Sequence, residues 1–541
     1  MDKTESLGAP LDPQESIGSI MPFRQVPGAP YLLVNKWHHL LPYADRPLYR
    51  YDNESDSLVV ERWGDVFGVE RQNDKADLHC LNQVDLDLDG AADMFVCLGG
   101  GMGKGPIDIS TGNLLFTSHG CDQPLCGGPR TAELFNVGHF GAREYGMTLV
   151  AREGSNLLDV YLRSLRRVIK PDVPSQLMRR LQGWKGAVPY EDALGETPLP
   201  EYASTGALSV DLTGDGQAEL VVGSDLENAL YIYEPAHGYR KLMKAPGVMK
   251  WNKCALGILA MDLDGDLNLD LMILADSRPW EWKPGELPLF FLRNPGTGRA
   301  PTWDWETRVS MAPRIMGLSQ GIGCKMTGIG KGDMNNDGLE DMLVACSYTS
   351  FNSHILLLNR GHDAGGPLFE AVEHAGGLRK EWDAGSSLTV VDYNRDGRLD
   401  VALSHGPVAG EDIFYFPDKL EDPPVTFYEN QFAPKSNNWV ALDLLPTESN
   451  EQALGARVVL TLSNGDQQVR SVEDSSGSQG VEDNLGRRLH FGLGGESVSL
   501  VSITWPAGGT QTVGGPGGDP GSGLGWRNEL VVIQEGFGRV S

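Results

Sequence analysis

The sequence predicts an all-β protein: a seven-bladed β-propeller with calcium-binding loops, followed by a small C-terminal β domain. Three observations carry that expectation. Short acidic runs recur along the chain, each followed at once by an apolar, strand-like burst. The last four begin at steps of 51, 71 and 59 residues (211 to 262, 262 to 333, 333 to 392), a period typical of multi-strand repeats. The 68 Gly and 33 Pro are scattered among strand-like segments, as in a turn-rich β protein.

The runs are DLDLDGAADMFV from Asp85, DLTGDGQAELVV from Asp211, DLDGDLNLDLMI from Asp262, DMNNDGLEDMLV from Asp333 and DYNRDGRLDVAL from Asp392. Positions 1, 3, 5 and 9 offer hard oxygen ligands, the donor set that suits Ca²⁺. They are Asp85, Asp87, Asp89 and Asp93 in the first run, then Asp211, Thr213, Asp215 and Glu219 in the second. Asp262, Asp264, Asp266 and Asp270 follow, then Asp333, Asn335, Asp337 and Asp341, and finally Asp392, Asn394, Asp396 and Asp400. Gly usually holds position 6, where a sharp turn is needed; the third run has Leu267 there, which predicts a strained, weaker site. An EF-hand begins the same way but requires a bidentate Glu at position 12 and flanking helices. Here position 12 is Val96, Val222, Ile273, Val344 or Leu403, inside a strand-like burst, so each loop leads into a strand.

Two further units fill the gaps in the series. FNVGHFGAREYGMTLVAR sets His139, Gly141 and Arg143 at ligand positions 1, 3 and 5 before Thr148-Leu149-Val150, and RQVPGAPYLLVN reduces the loop to Pro27-Gly28 before Tyr31-Leu32-Leu33-Val34. Seven units result, two of them stripped of ligands. Later apolar runs (Pro47–Tyr51, Ala229–Tyr233, Leu289–Leu292, Ile355–Leu358) read as second or third strands of the same units. The propeller is expected over residues 20–425 and the C-terminal module over 430–535, as a separate cooperative unit entered through Pro423-Pro424. Leu158, Leu162 and Leu165 at helical spacing predict a helical insertion at about 156–184. It carries Arg163, Arg166, Arg167, Lys170, Arg179 and Arg180, read either as a solvated face or as a docking surface. Trp280, Trp282, Trp303 and Trp305 form two Trp-x-Trp pairs, either a lid over a sheet edge or a sugar-stacking platform.

A net charge of −28 excludes a nucleic-acid partner, and the acidic loops account for much of it. Seven cysteines show no zinc spacing; Cys80, Cys97 and Cys346 read as buried strand residues, while Cys121 and Cys126 are close enough to suggest a local disulfide. No run is long and apolar enough for a membrane helix. The start, MDKTESLGAPLDPQES, shows no signal peptide, so it is read as processed or incomplete, or the protein as intracellular. Neither HExxH nor a P-loop is present, no nucleophile elbow is evident, and the eleven histidines, His490 among them, do not cluster.

The acidic runs resemble FG-GAP/VCBS repeats, the calcium-bearing blades of integrin-α-type propellers. The C-terminal module is similar to the ASPIC/UnbV domain through Asn438-Trp439, Leu454-Gly455-Ala456-Arg457-Val458, Leu489-His490-Phe491-Gly492-Leu493-Gly494 and Ile503-Thr504-Trp505-Pro506-Ala507-Gly508. The combination resembles the cartilage-acidic-protein-1-like family. One departure is Ser475-Ser476-Gly477-Ser478-Gln479, where the family carries Gly-Tyr-x-Ser-Gln. The resemblance implies a non-enzymatic, extracellular or cell-surface protein that binds a protein or glycan through a propeller face. A structural subunit of a larger assembly, or a propeller-channel enzyme, is the alternative.

Overall fold

In a computed structural model, residues 19–23, 32–36, 47–62, 78–84, 93–98, 114–116, 144–164, 175–180, 190–201, 203–224, 229–235, 239–246, 255–275, 289–296, 306–308, 315–317, 325–347, 354–363, 366–373, 385–405, 425–475, 488–514 and 525–540 are described. Among them the protein is all-β, its only helical element a 3₁₀ turn at Leu194–Glu196, and it forms nine sheets. Seven precede residue 430; six are antiparallel meanders, and the sixth in chain order is a meander that adds the two-residue strand Ile315–Met316 parallel to Gly366–Glu373. Their opening strands are Ser19–Phe23, Leu78–Val84, Glu144–Val150, Ala203–Val210, Ala255–Met261, Lys325–Gly332 and Gly385–Val391. The second strands are Leu32–Lys36, Asp93–Leu98, Asp159–Ser164, Glu219–Ser224, Asp270–Ala275, Asp341–Ser347 and Asp400–His405. The apolar runs at Pro47–Asp52, Ala229–Glu234, Leu289–Arg293 and Ile355–Asp363 are third strands.

These sheets stack because their strands are apolar on both faces. Within Glu219–Ser224, Leu220 and Val222 pack on Val150, Tyr161 and Leu177 of the third sheet. Val221 points the other way, against Ile258, Leu271 and Ile273 of the fifth. The two-residue period of a strand thus delivers alternate side chains to two neighbours. Leu259, Met272 and Phe291 of the fifth sheet meet Ile329, Val344 and Leu357 of the sixth. Leu343 and Leu356 meet Leu388, Val390 and Leu403 of the seventh. Tyr49 of the first sheet packs edge-on against Phe427 of the seventh, with ring centroids 5.0 Å apart. The opening strands contact one another in chain order, and Gly385–Val391 returns to Ser19–Phe23. At roughly 1.5–3 kcal/mol per buried aliphatic or aromatic side chain, this inter-sheet burial dominates the stabilisation.

The remaining two sheets form a C-terminal sandwich. One runs Leu489–Gly494, Asn438–Leu445, Glu529–Gln534, Gly538–Arg539, with its middle pair parallel; the other runs Gln467–Ser471, Arg457–Leu462, Val498–Thr504, Thr510–Gly514. Their inner faces share one core that includes Val440, Val458, Phe491, Val501, Trp505 and Trp526.

Among the described residues of 156–184 the expected helical insertion is not formed. Asp159–Ser164 and Gln176–Arg180 are the second and third strands of the third sheet. The leucine spacing reflected a strand buried on both faces: Leu158, Val160, Tyr161 and Leu162 are all fully buried. Two of the segment's arginines are not solvated, since Arg163 is 0% and Arg180 3% exposed, while Arg179 is partly exposed. Arg166, Arg167 and Lys170 lie outside the described residues, as do Cys121, Cys126, the two Trp-x-Trp pairs and the loop at Pro27-Gly28. Among the described residues no helix is long and apolar enough to cross a membrane.

Candidate metal centres

Each acidic loop joins the opening strand of its sheet to the second strand, and four of the five are described. They share one construction. The position-1 carboxylate folds the loop over itself by accepting backbone N–H groups. Asp211 accepts from Gly214 (2.7 Å) and Gly216 (2.9 Å), and Asp262 from Gly265 (2.8 Å) and Leu267 (3.1 Å). Asp333 accepts from Asp337 (3.0 Å) and Gly338 (2.7 Å), Asp392 from Asp396 (3.0 Å) and Gly397 (2.9 Å). Position 9 starts the second strand and reaches back beneath the loop. Glu219 accepts from Leu212 N–H (2.7 Å), Asp270 from Leu263 N–H (3.2 Å) and Asp341 from Met334 N–H (2.9 Å). Asp270, Asp341 and Asp400 also accept the N–H of Asn294, Asn359 and Asn430 on the third strand or just past its end.

Positions 3 and 5 complete each cluster. Thr213 Oγ1 donates to Glu219 (3.2 Å), and Asn335 Nδ2 to Asp337 (2.8 Å); Asn394 accepts Asp396 N–H (3.1 Å). Asp215 and Asp266 accept the N–H of the residue two places on. Asp262, Asp264 and Asp270 bring three carboxylate oxygens within 4.8 Å of one another. Backbone turns of positive φ fall at positions 4 and 6 alike: Gly214, Gly265, Asn336 (57°) and Arg395 (62°), then Gly216, Leu267 (66°), Gly338 and Gly397. Leu267 does adopt the left-handed turn that Gly accepts freely, so that loop carries backbone strain of roughly 1–2 kcal/mol.

The electrostatics are those of a cluster lacking a counter-charge. Burial first, and mutual repulsion second, push Asp211, Asp262 and Asp392 up to about 6, Asp333 up to about 7, and Asp270 and Asp341 up to about 8. Glu219 and Asp400 are raised well above the carboxylate range by the same causes, and Asp266 and Asp396 are raised too. Asp400 Oδ2 is buried and has no hydrogen-bond partner. All-oxygen donors, buried and oriented by backbone N–H groups, fit a hard cation such as Ca²⁺. At the outer edges of two loops Arg293 pairs with Asp264 and Asp266, and Arg398 with Asp396.

The first loop cannot be compared: Asp85, Asp87 and Asp89 lie outside the described residues, and of Asp93 only its place at the head of Asp93–Leu98 is described. The stripped unit is misplaced in the sequence reading. His139, Gly141 and Arg143 lie outside the described residues, and Thr148-Leu149-Val150 belongs to an opening strand. The loop equivalent to the acidic ones is Ala151–Asp159, with Gly154 at position 4 (φ 67°) and Asp159 at position 9, accepting Arg180 N–H as its counterparts do. This loop has Ala151 where the others have Asp at position 1, keeps Glu153 at position 3 and Ser155 at position 5, and brings Arg152, whose guanidinium lies 3.6 Å from Asp159 and donates to Arg180 O. The surviving signal was Asp159 followed by Val-Tyr-Leu. The expectation that the chain has no Gly-x-Ser-x-Gly elbow is wrong at the level of the sequence: Gly317–Gly321 is such a string; Gly317 follows the two-residue strand Ile315–Met316, and residues 318–321 lie outside the described residues.

The C-terminal sandwich packs against four of these loops. Gly494 N–H donates to Asn336 O (2.8 Å) and Asn437 Nδ2 to Asn335 O (3.0 Å). His490 Nε2 lies 3.1 Å from Gly397 O and stacks on Trp439, whose ring covers Gly397. Arg457 donates to Leu267 O (2.6 Å), and Gln217 donates to Pro506 O.

Residues 333–403 match the FG-GAP-like repeat family, and residues 446–520 match the family described as ASPIC and UnbV. The chain is homologous to cartilage acidic protein 1: 32% identical to the Mus musculus protein over 178 residues, 32% of this chain and 25% of that protein. The Homo sapiens protein is 31% identical over 178 residues, 24% of its length. The match thus spans about a quarter of these relatives. Among solved structures, the V. cholerae biofilm matrix protein Bap1 aligns at 12% identity over 70% of this chain and 60% of that one, with a TM-score of 0.27. Rhamnogalacturonan lyase YesW aligns at 11% identity over 79% and 91%, with a TM-score of 0.30. Scores this low bear on neither fold nor function.

Proposed function

We propose that this chain, bearing an FG-GAP-like repeat and an ASPIC/UnbV module, is a calcium-stiffened, non-enzymatic binding scaffold. Residues 20–425 would form a seven-bladed propeller and 430–535 its companion module. The propeller reading is supported by seven meanders whose opening strands follow one another in a closed cycle. The observation that carries the function is the shared geometry of the four described loops: buried oxygen ligands that repel one another until a cation sits among them. Asp211, Thr213, Asp215 and Glu219, and their equivalents in the other loops, would hold Ca²⁺. The carboxylates are then committed to the cation, which leaves no acid–base pair among them for catalysis. The partner is read as an extracellular protein or glycan, in keeping with the homology to cartilage acidic protein 1.

Calorimetric titration of the full chain with Ca²⁺ and with Mg²⁺ tests this reading. Calcium binding at several sites that raises the melting temperature, with weaker or no response to Mg²⁺, is the expected result. An unchanged melting temperature in EGTA and no calcium heat would overturn it.

A further inference from the structure

The loop end of the repeat sheets is an interaction surface already occupied by the chain's own C-terminal module, and Asp474 is the residue that seats it. We infer this from a convergence at the centre of the molecule. Residues 473 and 474 leave the strand Gln467–Ser471 and meet opening strands from four different sheets. Asn82 Nδ2, in the second sheet, donates to both oxygens of Asp474 (2.9 and 3.0 Å). Leu149 N–H, in the third, donates to Asp474 Oδ2 at 2.8 Å. In the fourth, Ser209 and Asp474 exchange two backbone hydrogen bonds of 2.9 Å, an isolated antiparallel bridge. Lys331, in the sixth, pairs with Glu473 at 2.6 Å while donating to Ala260 O in the fifth, also at 2.6 Å.

The receiving side is built for an anion. Besides those N–H donors it holds Arg163, fully buried; burial pushes its guanidinium down to about 10, against which the Asp474 charge acts. Asp474 is completely buried and the Glu473 side chain 10% exposed. Buried carboxylates held by several donors are among the strongest polar contacts available, because a neutral replacement leaves those donors unpaired. Around this anchor the module adds peripheral contacts to the loops: Arg470 on Glu340 (3.2 Å), Arg180 on Glu451 (2.7 Å), and the contacts of Gly494, His490 and Arg457 already described. The motifs that define the module in sequence, His490–Gly494, Trp505–Pro506 and Gly455–Arg457, are the parts that touch the loops. None of this depends on whether the loops hold a cation.

The test is hydrogen exchange of the full chain and of Asp474→Ala and Asp474→Asn, followed at the Leu149 and Ser209 amides and across residues 454–458 and 489–494. Asp474→Ala should speed exchange by about tenfold or more at all four places together, as loss of a charged hydrogen-bonded anchor requires. The module's inner strand Val498–Thr504 should stay protected. Asp474→Asn, which keeps the shape and one acceptor, should give a smaller change of the same pattern. A change confined to residue 149 or 209 would reduce Asp474 to a local contact and overturn the inference. Global loss of protection in both variants would overturn it equally, since the module would then be part of one indivisible core.

Discussion

Gly492 and Gly495 lie three residues apart in the same module, yet they should respond in opposite ways to one added methyl group. A Cβ at 492 would fall within 2.6 Å of the Asn336 carbonyl carbon and closer still to Asn336 Cα and Asp333 Oδ2. Heavy atoms need more than 3 Å, and the obstacle is mainly backbone, so no rotamer change relieves it. The module must lift, or the 333 loop must open. Overpacking of this kind costs about 1–3 kcal/mol, and contact with backbone places Gly492→Ala at the upper end. At Gly495 nothing lies within 4 Å, so Gly495→Ala should stay within about 0.5 kcal/mol of the parent. Scanning calorimetry of the full chain with both variants, in calcium and in EGTA, reads the difference. Because the clash includes a proposed ligand, Gly492→Ala should also weaken calcium binding at the 333 loop. Equal melting temperatures for the two variants would refute the close packing of module on loop.

Chelation should make stability depend on pH with a defined sign. Asp333, Asp270 and Asp341 are protonated more readily folded than unfolded, so their contribution is present at low pH and lost as pH rises through about 7 to 8. For Asp333 alone, a rise from 3.8 to about 7 corresponds to roughly 4 kcal/mol. In EGTA the melting temperature should therefore fall between pH 6.5 and 8.5, and calcium should flatten the profile; a flat profile in EGTA would count against the loop electrostatics. The arginines of the third sheet should divide by burial. Arg163→Gln and Arg180→Gln each break buried charge contacts and should cost roughly 3–5 kcal/mol. Arg179→Gln, whose partner Glu196 is 69% exposed, should cost at most about 1 kcal/mol; comparable losses in calorimetry for all three would show the burial pattern to be wrong.

The acidic loops were legible because cation chemistry fixes residue types at fixed spacing, and strands announced themselves by apolar bursts. Position 4 was not legible: Asn336 and Arg395 take the left-handed turn there although neither residue type demands it. The loop at Ala151–Asp159 was lost for a related reason. With Ala151 at position 1 and Arg152 reaching Asp159 from within, it lacks the leading Asp that marks the other loops. The false helix arose where strands bury both faces, since Leu158 and Leu162 then carry no alternation to distinguish a two-residue period from a helical one. Nothing local could reveal that Arg163 is buried or that Asp474 approaches Asn82, because those environments are made by distant parts of the chain.

That distance has a consequence for how the molecule is made. Asn82 and Asp474 are 392 residues apart, so at about 5–20 residues per second the second emerges roughly 20–80 s after the first. Throughout that interval Asn82 and Leu149 lack the carboxylate of Asp474, and the sheets already made await the module that packs on their loops. Such contacts close late and slowly, because a long loop must be ordered before any of them forms. The last fifth of the chain therefore sets the moment at which everything translated before it becomes secure.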